Sequence, residues 1–317
     1  MTISKLKFIC GAVILIAASQ SPADPPPSGN AGLKLLRVIL LGGQSNADGR
    51  APGSGLPVSP VNLQAPQTNV LFYYYTNGAA DNPDGTLGTL TTLRPGATQT
   101  PPGGFGPEVA LGCHLSSVIA QQPGAQLVII KYAKGGSSLA VDWKAGGDGT
   151  TNRDGAHYRI FQRVVKDGLA KLQSTFPDSA IQVVGMAWVQ GESDIDGGSA
   201  RADVYATNLV RFISDVRQTF SATLPFFFSR ISARQKVYSA PTSTRYANYL
   251  VLRSQQEQVA ATVTNTCMID TDSPDFTMKP DFLHFDAGGQ QAMGAAFAAQ
   301  IKRVLGGGRL REQSSQE

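Results

Sequence analysis

The chain is poor in the residues that metal, redox and nucleic-acid chemistry call for. Among 317 residues there are only three cysteines and three histidines. No Cys-x-x-Cys pair and no Cys/His cluster is present, so a structural zinc site lacks a ligand set. Charged residues make up only 16%, no basic run stands out, and the formal charge of +4 falls to about +2 once Lys5 and Lys7 of the opening segment are set aside. A nucleic-acid footprint needs more than that. No Asn-x-Ser/Thr sequon occurs, so there is no glycosylation signature of a eukaryotic secretory route. After the opening segment no apolar run approaches the roughly 20 residues of a membrane-spanning helix. What is present is a hydrophobic share of 42%, enough for a packed core and too high for a disordered or collagen-like chain.

Residues 1–23 combine a lysine-bearing start, an apolar stretch over 8–18 and a small-residue exit at Ser21-Pro22-Ala23. That is the pattern of a secretory signal peptide cleaved after Ala23; a membrane anchor is the competing reading, and the apolar stretch is short for one. The expected location is therefore secreted or periplasmic, with no stable membrane insertion after leader removal. Residues 24–34 read as a proline-rich linker, 35–305 as one folded domain and 306–317 as a flexible tail. Cys10 leaves with the leader. Cys113 and Cys267 remain, either as one disulfide or as two separate thiols.

The domain is organised around residues 35–46, LLRVILLGGQSN. A nearly continuous apolar run stopped by two glycines reads as a buried parallel strand feeding a tight turn into a helix. Ser45 then stands at the carboxyl edge of a sheet, where ligands of open α/β sheets bind. Further strands are expected at 70–75 (possible edge strand), 126–132, 181–189, 225–231 and 262–270, and helices at 107–121, 157–173, 200–220, 244–261 and 287–305. Residues 76–106 and 145–155 read as long loops, the kind that carry function. The alternation predicts an α/β fold with a parallel central sheet covered on both faces.

Four stretches carry candidate chemistry: Gly43-Gln44-Ser45-Asn46, Gly135-Gly136, Gln190-Gly191-Glu192 and Asp281-Phe282-Leu283-His284. A serine hydroxyl needs a base in hydrogen-bond reach, and that base needs a third group to fix its tautomer. Asp281 and His284 are three residues apart, so one turn brings carboxylate to imidazole. The assignment is Ser45 as nucleophile, His284 as base and then acid, and Asp281 as orienter. The backbone N–H groups of Ser45 and Gly136 and the side-chain amide of Gln190 are the candidate oxyanion donors. Each stretch alone has a bland reading: Ser45 as a cap, His284 as a loop histidine, Gln190 and Glu192 as helix caps, the glycines as a turn. All four adjoin strand ends on one edge, which favours a shared site. Glu192 and Asp194 as paired acids raise glycosidase chemistry as an alternative. His114 and His157 fall within or at the start of helices and read as structural.

GGQSN at 42–46, GPE at 106–108, KYAKGG at 131–136, WVQGESD at 188–194 and DFLHFD at 281–286, in this order, resemble the SGNH-hydrolase superfamily. Within it they resemble the branch of carbohydrate esterase family 6 and sialate O-acetylesterase-like proteins, the acetyl xylan esterase type. The resemblance implies a three-layer α/β/α flavodoxin-like fold and metal-free, cofactor-free removal of O-acetyl groups from carbohydrates. It carries the triad onto Ser45, His284 and Asp281 and the oxyanion hole onto Ser45, Gly136 and Gln190. Gln44, Asn46, Gly135 and Glu192 become substrate-positioning or supporting residues. Many relatives continue GQSN with Met-Ala-Gly; here Ala47-Asp48-Gly49 follows, which brings a carboxylate next to the expected pocket. The expected partner is an acetylated polysaccharide or oligosaccharide such as acetyl xylan, with no nucleic acid. The loops at 76–106 and 134–156, with Trp143 and the tyrosines at 73–75, look suited to a sugar cleft. Two alternatives stand beside this reading: a sialate or small-ester esterase of the same mechanism, and a non-catalytic carbohydrate-binding protein on the same scaffold.

Overall fold

The computed structural model describes residues 34–76, 87–99, 101–146, 153–308 and 310. The expected leader, all of the linker but Lys34, and most of the tail lie outside the described residues. In chain order the elements are β1 (Leu35–Gly43), α1 (Ser45–Asp48), β2 (Ala51–Pro52), β3 (Gln67–Tyr75), β4 (Thr89–Leu93), β5 (Gly104–Phe105), α2 (Glu108–Ile119), β6 (Ala125–Ala133), α3 (Ala156–Thr175) and β7 (Ala180–Val189). They continue as α4 (Glu192–Asp196), α5 (Ser199–Ala202), α6 (Tyr205–Phe220), β8 (Phe226–Ser229), α7 (Lys236–Ser239), α8 (Tyr246–Thr262), β9 (Thr266–Ile269) and α9 (Ala287–Leu305).

Seven strands form one sheet in the order β4-β3-β6-β1-β7-β8-β9, all parallel except β4, which runs antiparallel to β3. The run β6-β1-β7-β8-β9, numbered by chain order among these five, is the 2-1-3-4-5 order of flavodoxin-like sheets, whose ligands sit where the order reverses beside the first strand. The β3-β4 hairpin is added beyond β6. β1 is apolar on both faces because both are covered: Val38 and Leu40 pack with α3, α6 and α8, whereas Ile39 and Leu41 pack with α2 and α9. Each such side chain, fully removed from water, contributes on the order of 1.5–3 kcal/mol of transfer free energy.

Several boundaries differ from the sequence reading. β3 is an inner strand rather than an edge, since β4 lies outside it within a stretch expected to be loop. The helix expected over 200–220 is broken into α5 and α6. Trp143 and Tyr73 do not line a cleft. Both are fully buried, and Trp143 packs edge-on to Trp188 with ring centroids 5.0 Å apart. Cys113 and Cys267 are free thiols, not a disulfide. No helix among the described residues is long and apolar enough to cross a membrane.

Candidate active site

The turn after β1 is compressed against the end of β7. Gly43 has φ +136, and a Cβ there would collide with the Val189 carbonyl. Only glycine fits such a turn without strain. Ser45 follows as the first residue of α1, a single helical turn, and it is almost fully buried. Its Oγ is 3.1 Å from His284 Nε2, and His284 Nδ1 is 2.8 Å from Asp281 Oδ2. The other carboxylate oxygen of Asp281 accepts the backbone N–H groups of Leu283 (2.9 Å) and His284 (3.0 Å). Partial burial pushes the Asp281 carboxyl up, but the backbone and ring N–H groups of His284 and the Leu283 N–H outweigh it and hold the group below the usual carboxylate range. An ionised Asp281 accepts the hydrogen bond of Nδ1–H and so leaves Nε2 as acceptor for the serine hydroxyl.

The loop that carries His284 is clamped from the switch point. Asn46 donates to Glu192 Oε1 at 2.6 Å and to the Leu283 carbonyl at 3.3 Å, and its Oδ1 accepts the Phe285 N–H at 3.0 Å. Gln235 donates to Glu192 Oε1 at 3.0 Å and to the Leu283 carbonyl at 2.9 Å. The peptide groups on both sides of His284 are therefore fixed by Asn46, Glu192 and Gln235. Asp286 then caps α9 by accepting the Gly289 N–H at 3.0 Å. Asn46 and Glu192 support the histidine loop instead of facing a substrate.

A second strut sits below the glycine turn after β6. Gly136 has φ +71 with open space where a Cβ would lie, so the backbone hand rather than crowding calls for glycine. A Cβ on Gly135 would meet the Arg50 guanidinium, with Ser45 Cβ 3.6 Å away, so the loop passes directly over the nucleophile. No acceptor among the described residues takes the N–H of Ser45 or of Gly136. Gln190 departs from its expected place as a third donor. Its amide nitrogen donates to Asp194 Oδ2 at 2.6 Å, with Gln44 Oε1 and the Ser137 carbonyl each at 3.2 Å, and its Oε1 accepts from Tyr205 Oη at 3.0 Å. Two amide hydrogens against three acceptors leave none for an incoming oxyanion in this geometry.

Asp194 is the centre of that strut. It is fully buried and also accepts the N–H groups of Leu139 (2.7 Å) and Ala140 (2.9 Å), which fixes the loop after Gly136. Burial pushes its carboxyl above the usual range, against the pull of Gln190 and these two N–H groups. Gln44 Oε1 accepts the N–H groups of Gly191 (3.3 Å) and Ser193 (3.1 Å), tying the two post-strand turns together. Glu192 and Asp194 are thus each committed to separate internal partners, which removes the paired-acid geometry of a glycosidase.

Behind the turn lies a buried charge network. Lys131 Nζ pairs with Glu108 Oε2 at 2.8 Å and donates to the Asp48 carbonyl at 2.8 Å, while Glu108 Oε1 accepts the Gly106 N–H at 3.0 Å. Asp48 pairs with Arg50 and accepts the Gln99 N–H. Burial raises the Asp48 carboxyl, and Lys131 and Arg50 counter part of that rise. The carboxylate that departs from the common pattern is therefore neutralised within the wall of the site. No group of three or more His, Cys, Asp or Glu residues able to hold a metal occurs among the described residues.

A flavodoxin-ordered sheet with serine, histidine and aspartate converging at its switch point fits an SGNH-like carboxylic ester hydrolase. The profile of the family described as "Carbohydrate esterase, sialic acid-specific acetylesterase" matches residues 35–303, and the chain belongs to that family. It is accordingly a carbohydrate O-acetylesterase. In fold it is similar to a protein from Arabidopsis thaliana (18% identity, TM-score 0.57, covering 84% of this chain and 97% of that one) and to NanS (18%, 0.56, 87% and 99%). It is also similar to a carbohydrate acetylesterase from Xanthomonas citri (19%, 0.55, 86% and 56%). No match was found among curated proteins.

Proposed function

We propose that the chain is a secreted serine esterase that removes O-acetyl groups from a polysaccharide or oligosaccharide through an acetyl-serine intermediate. The observation that carries this reading is the unbroken line from Ser45 Oγ through His284 to Asp281. His284 Nε2 takes the Ser45 proton as Oγ attacks the acetyl carbonyl carbon. The oxyanion forms against the N–H groups of Ser45 and Gly136, donors of a kind typically worth about 10²–10³ in rate each. Collapse breaks the bond to the sugar oxygen, which leaves with the proton held by His284. Water then gives a proton to His284 as its oxygen attacks the acetyl carbon; the bond to Ser45 Oγ breaks, His284 returns that proton to Oγ, and acetate leaves. Gln190 serves this reaction by fixing Asp194 and the Gly136 loop.

Acetyl xylan is the first substrate to try, and O-acetylated sialic acid is the second reading, favoured by the description of the family. A binding protein without turnover has no need of three aligned residues. The test is acetate release from acetylated xylan, from an O-acetylated sialic acid and from p-nitrophenyl acetate, wild type beside Ser45→Ala. Loss of all release in the variant, with the wild type active, supports the serine mechanism; full release by the variant overturns it. Mass spectrometry of the exported protein should find Asp24 as the first residue.

A further inference from the structure

The oxyanion side of the site has one donor fewer than its sequence suggests. Gln190 has its amide hydrogens engaged by Asp194, Gln44 and Ser137, which leaves the backbone N–H groups of Ser45 and Gly136. Stabilisation of a developing negative charge can also come from a fixed cation close by, and one stands there.

Arg50 follows the single turn of α1 by two residues. A Cβ on Gly135 would collide with Arg50 Nη2 and would lie 3.6 Å from Ser45 Cβ. The missing side chain at 135 is therefore what lets the guanidinium come up to the nucleophile and to the peptide that carries the Gly136 N–H. The Arg50 side chain is only 14% exposed. A charge with so little water around it acts more strongly on its neighbours than a solvated one.

The guanidinium is held before any substrate arrives. Its Nη1 pairs with Asp48 and donates to the Gly49 carbonyl at 2.9 Å, whereas Nη2 is the nitrogen nearest Gly135. Asp48 is itself buried and fixed by the Gln99 N–H at 3.2 Å. The main chain of Arg50 reaches the other half of the site, since its carbonyl accepts Lys279 Nζ at 3.2 Å. Lys279 opens the hairpin that carries Asp281 and His284. Its N–H donates to the His284 carbonyl at 2.8 Å, its carbonyl accepts the Phe282 N–H at 2.9 Å, and Met278 pairs antiparallel with Phe285. Arg50 thus joins the histidine hairpin, through its carbonyl, to the oxyanion loop, through its side chain.

We infer that Arg50 is a further positioning residue of the ester hydrolysis: its guanidinium backs the Gly135-Gly136 turn and sets a fixed positive charge beside the oxygen that becomes negative as Ser45 attacks. The contribution belongs to the transition state, because the acetyl oxygen of the bound ester is still neutral. The inference rests on the reading of Ser45 as the nucleophile of an esterase.

The test compares wild type, Arg50→Lys, Arg50→Met and the double variant Asp48→Asn/Arg50→Met, each as the full chain. Two readouts are taken: kinetics on p-nitrophenyl acetate and calorimetric titration with methylboronic acid. The free boronic acid is trigonal and neutral. When Ser45 Oγ adds to boron, the hydroxyl proton passes to His284 Nε2 and the adduct is a tetrahedral anion, like the intermediate of the reaction. In Arg50→Met, kcat and boronate affinity should each fall on the order of tenfold with KM within about twofold, a smaller loss than that of a direct oxyanion donor. Arg50→Lys keeps the charge without the fork and should recover part of both. The double variant leaves no buried carboxylate without its cation, so it should keep a melting temperature near wild type and show the same split. A loss confined to KM, a fall in kcat with boronate affinity unchanged, or a lysine variant no better than methionine overturns the inference. Wild-type values in every variant overturn it too and leave the esterase reading standing. If boronate binds in the expected order but no ester is cleaved, the role of Arg50 beside the anion stands and the esterase reading fails.

Discussion

Asn46 and Glu192 stand 146 positions apart in the chain, yet Asn46 Nδ2 donates to Glu192 Oε1 at 2.6 Å. This bond joins the turn after β1 to the turn after β7, across the point where the strand order reverses. Because Asn46 and Gln235 then hold the Leu283 and Phe285 peptides, Glu192 sets the height of His284 over Ser45 without touching either.

Removing Glu192 should therefore act on turnover. Glu192→Ala frees Asn46 and Gln235 to rotate, and a displacement near 1 Å at a catalytic group can cost on the order of 10²-fold. Glu192→Gln keeps the Oε1 acceptor and places its amide where Oε2 now lies buried without a partner. Kinetics on p-nitrophenyl acetate should show a large fall in kcat with little change in KM for the alanine variant, and a loss of only a few fold for glutamine. A loss confined to KM would instead make Glu192 a substrate contact.

The sequence showed the parts of the site whose geometry is local. GGQSN after an apolar run fixes a strand and its turn, and Asp281 three residues before His284 fixes a carboxylate against a ring. The helix over 287–305 has the expected bounds because Asp286 caps it and Gly306 ends it. Features decided by distant partners were hidden. β4 lies in a Thr- and Gly-rich stretch of weak pattern and is a strand because β3 offers it an edge. Trp143 looked like a loop aromatic free to meet a sugar, but it fills the layer between the sheet and α3 and α6. Gln190 carried the right chemistry for an oxyanion donor, and only the position of Asp194 four residues on shows where its hydrogens go. Gln235 has no motif of its own; a search for polar residues after each strand end would have found it.

Asp281→Asn tests the orientation of the histidine. The amide cannot accept the Nδ1 proton and the backbone N–H groups as the carboxylate does, and the ring loses the tautomer that leaves Nε2 free. The expected outcome is a fall in kcat of roughly 10²–10⁴-fold at neutral pH, with the melting temperature almost unchanged because the side chain is partly solvated. An active variant would show that another group orients His284.

The Lys131–Glu108 pair should be strongly coupled, since both side chains are buried within the charge network behind the nucleophile. Lys131→Met leaves a carboxylate without its countercharge, an event that typically destabilises by about 3–5 kcal/mol. Adding Glu108→Gln should restore part of the loss, and thermal unfolding of both singles and the double variant reads the coupling. Strict additivity would remove the pair from any account of the site's rigidity.

Acid stability should depend on Asp272. Burial pushes its carboxyl up, but its bonds to Arg253 and the Ala233 N–H and the charges of Arg253 and Arg230 bring it below the usual value. A carboxyl lowered in the folded state gives stability that is fully present above the unfolded value, about 3.9 for aspartate, and that is lost as pH falls through the lower folded value. The melting temperature of wild type should therefore decline below about pH 4. Asp272→Asn abolishes the pairing at every pH, so it should lower the melting temperature at pH 7 and flatten the acid limb of the curve. A variant whose curve runs parallel to wild type through that limb would assign the acid sensitivity to other carboxylates.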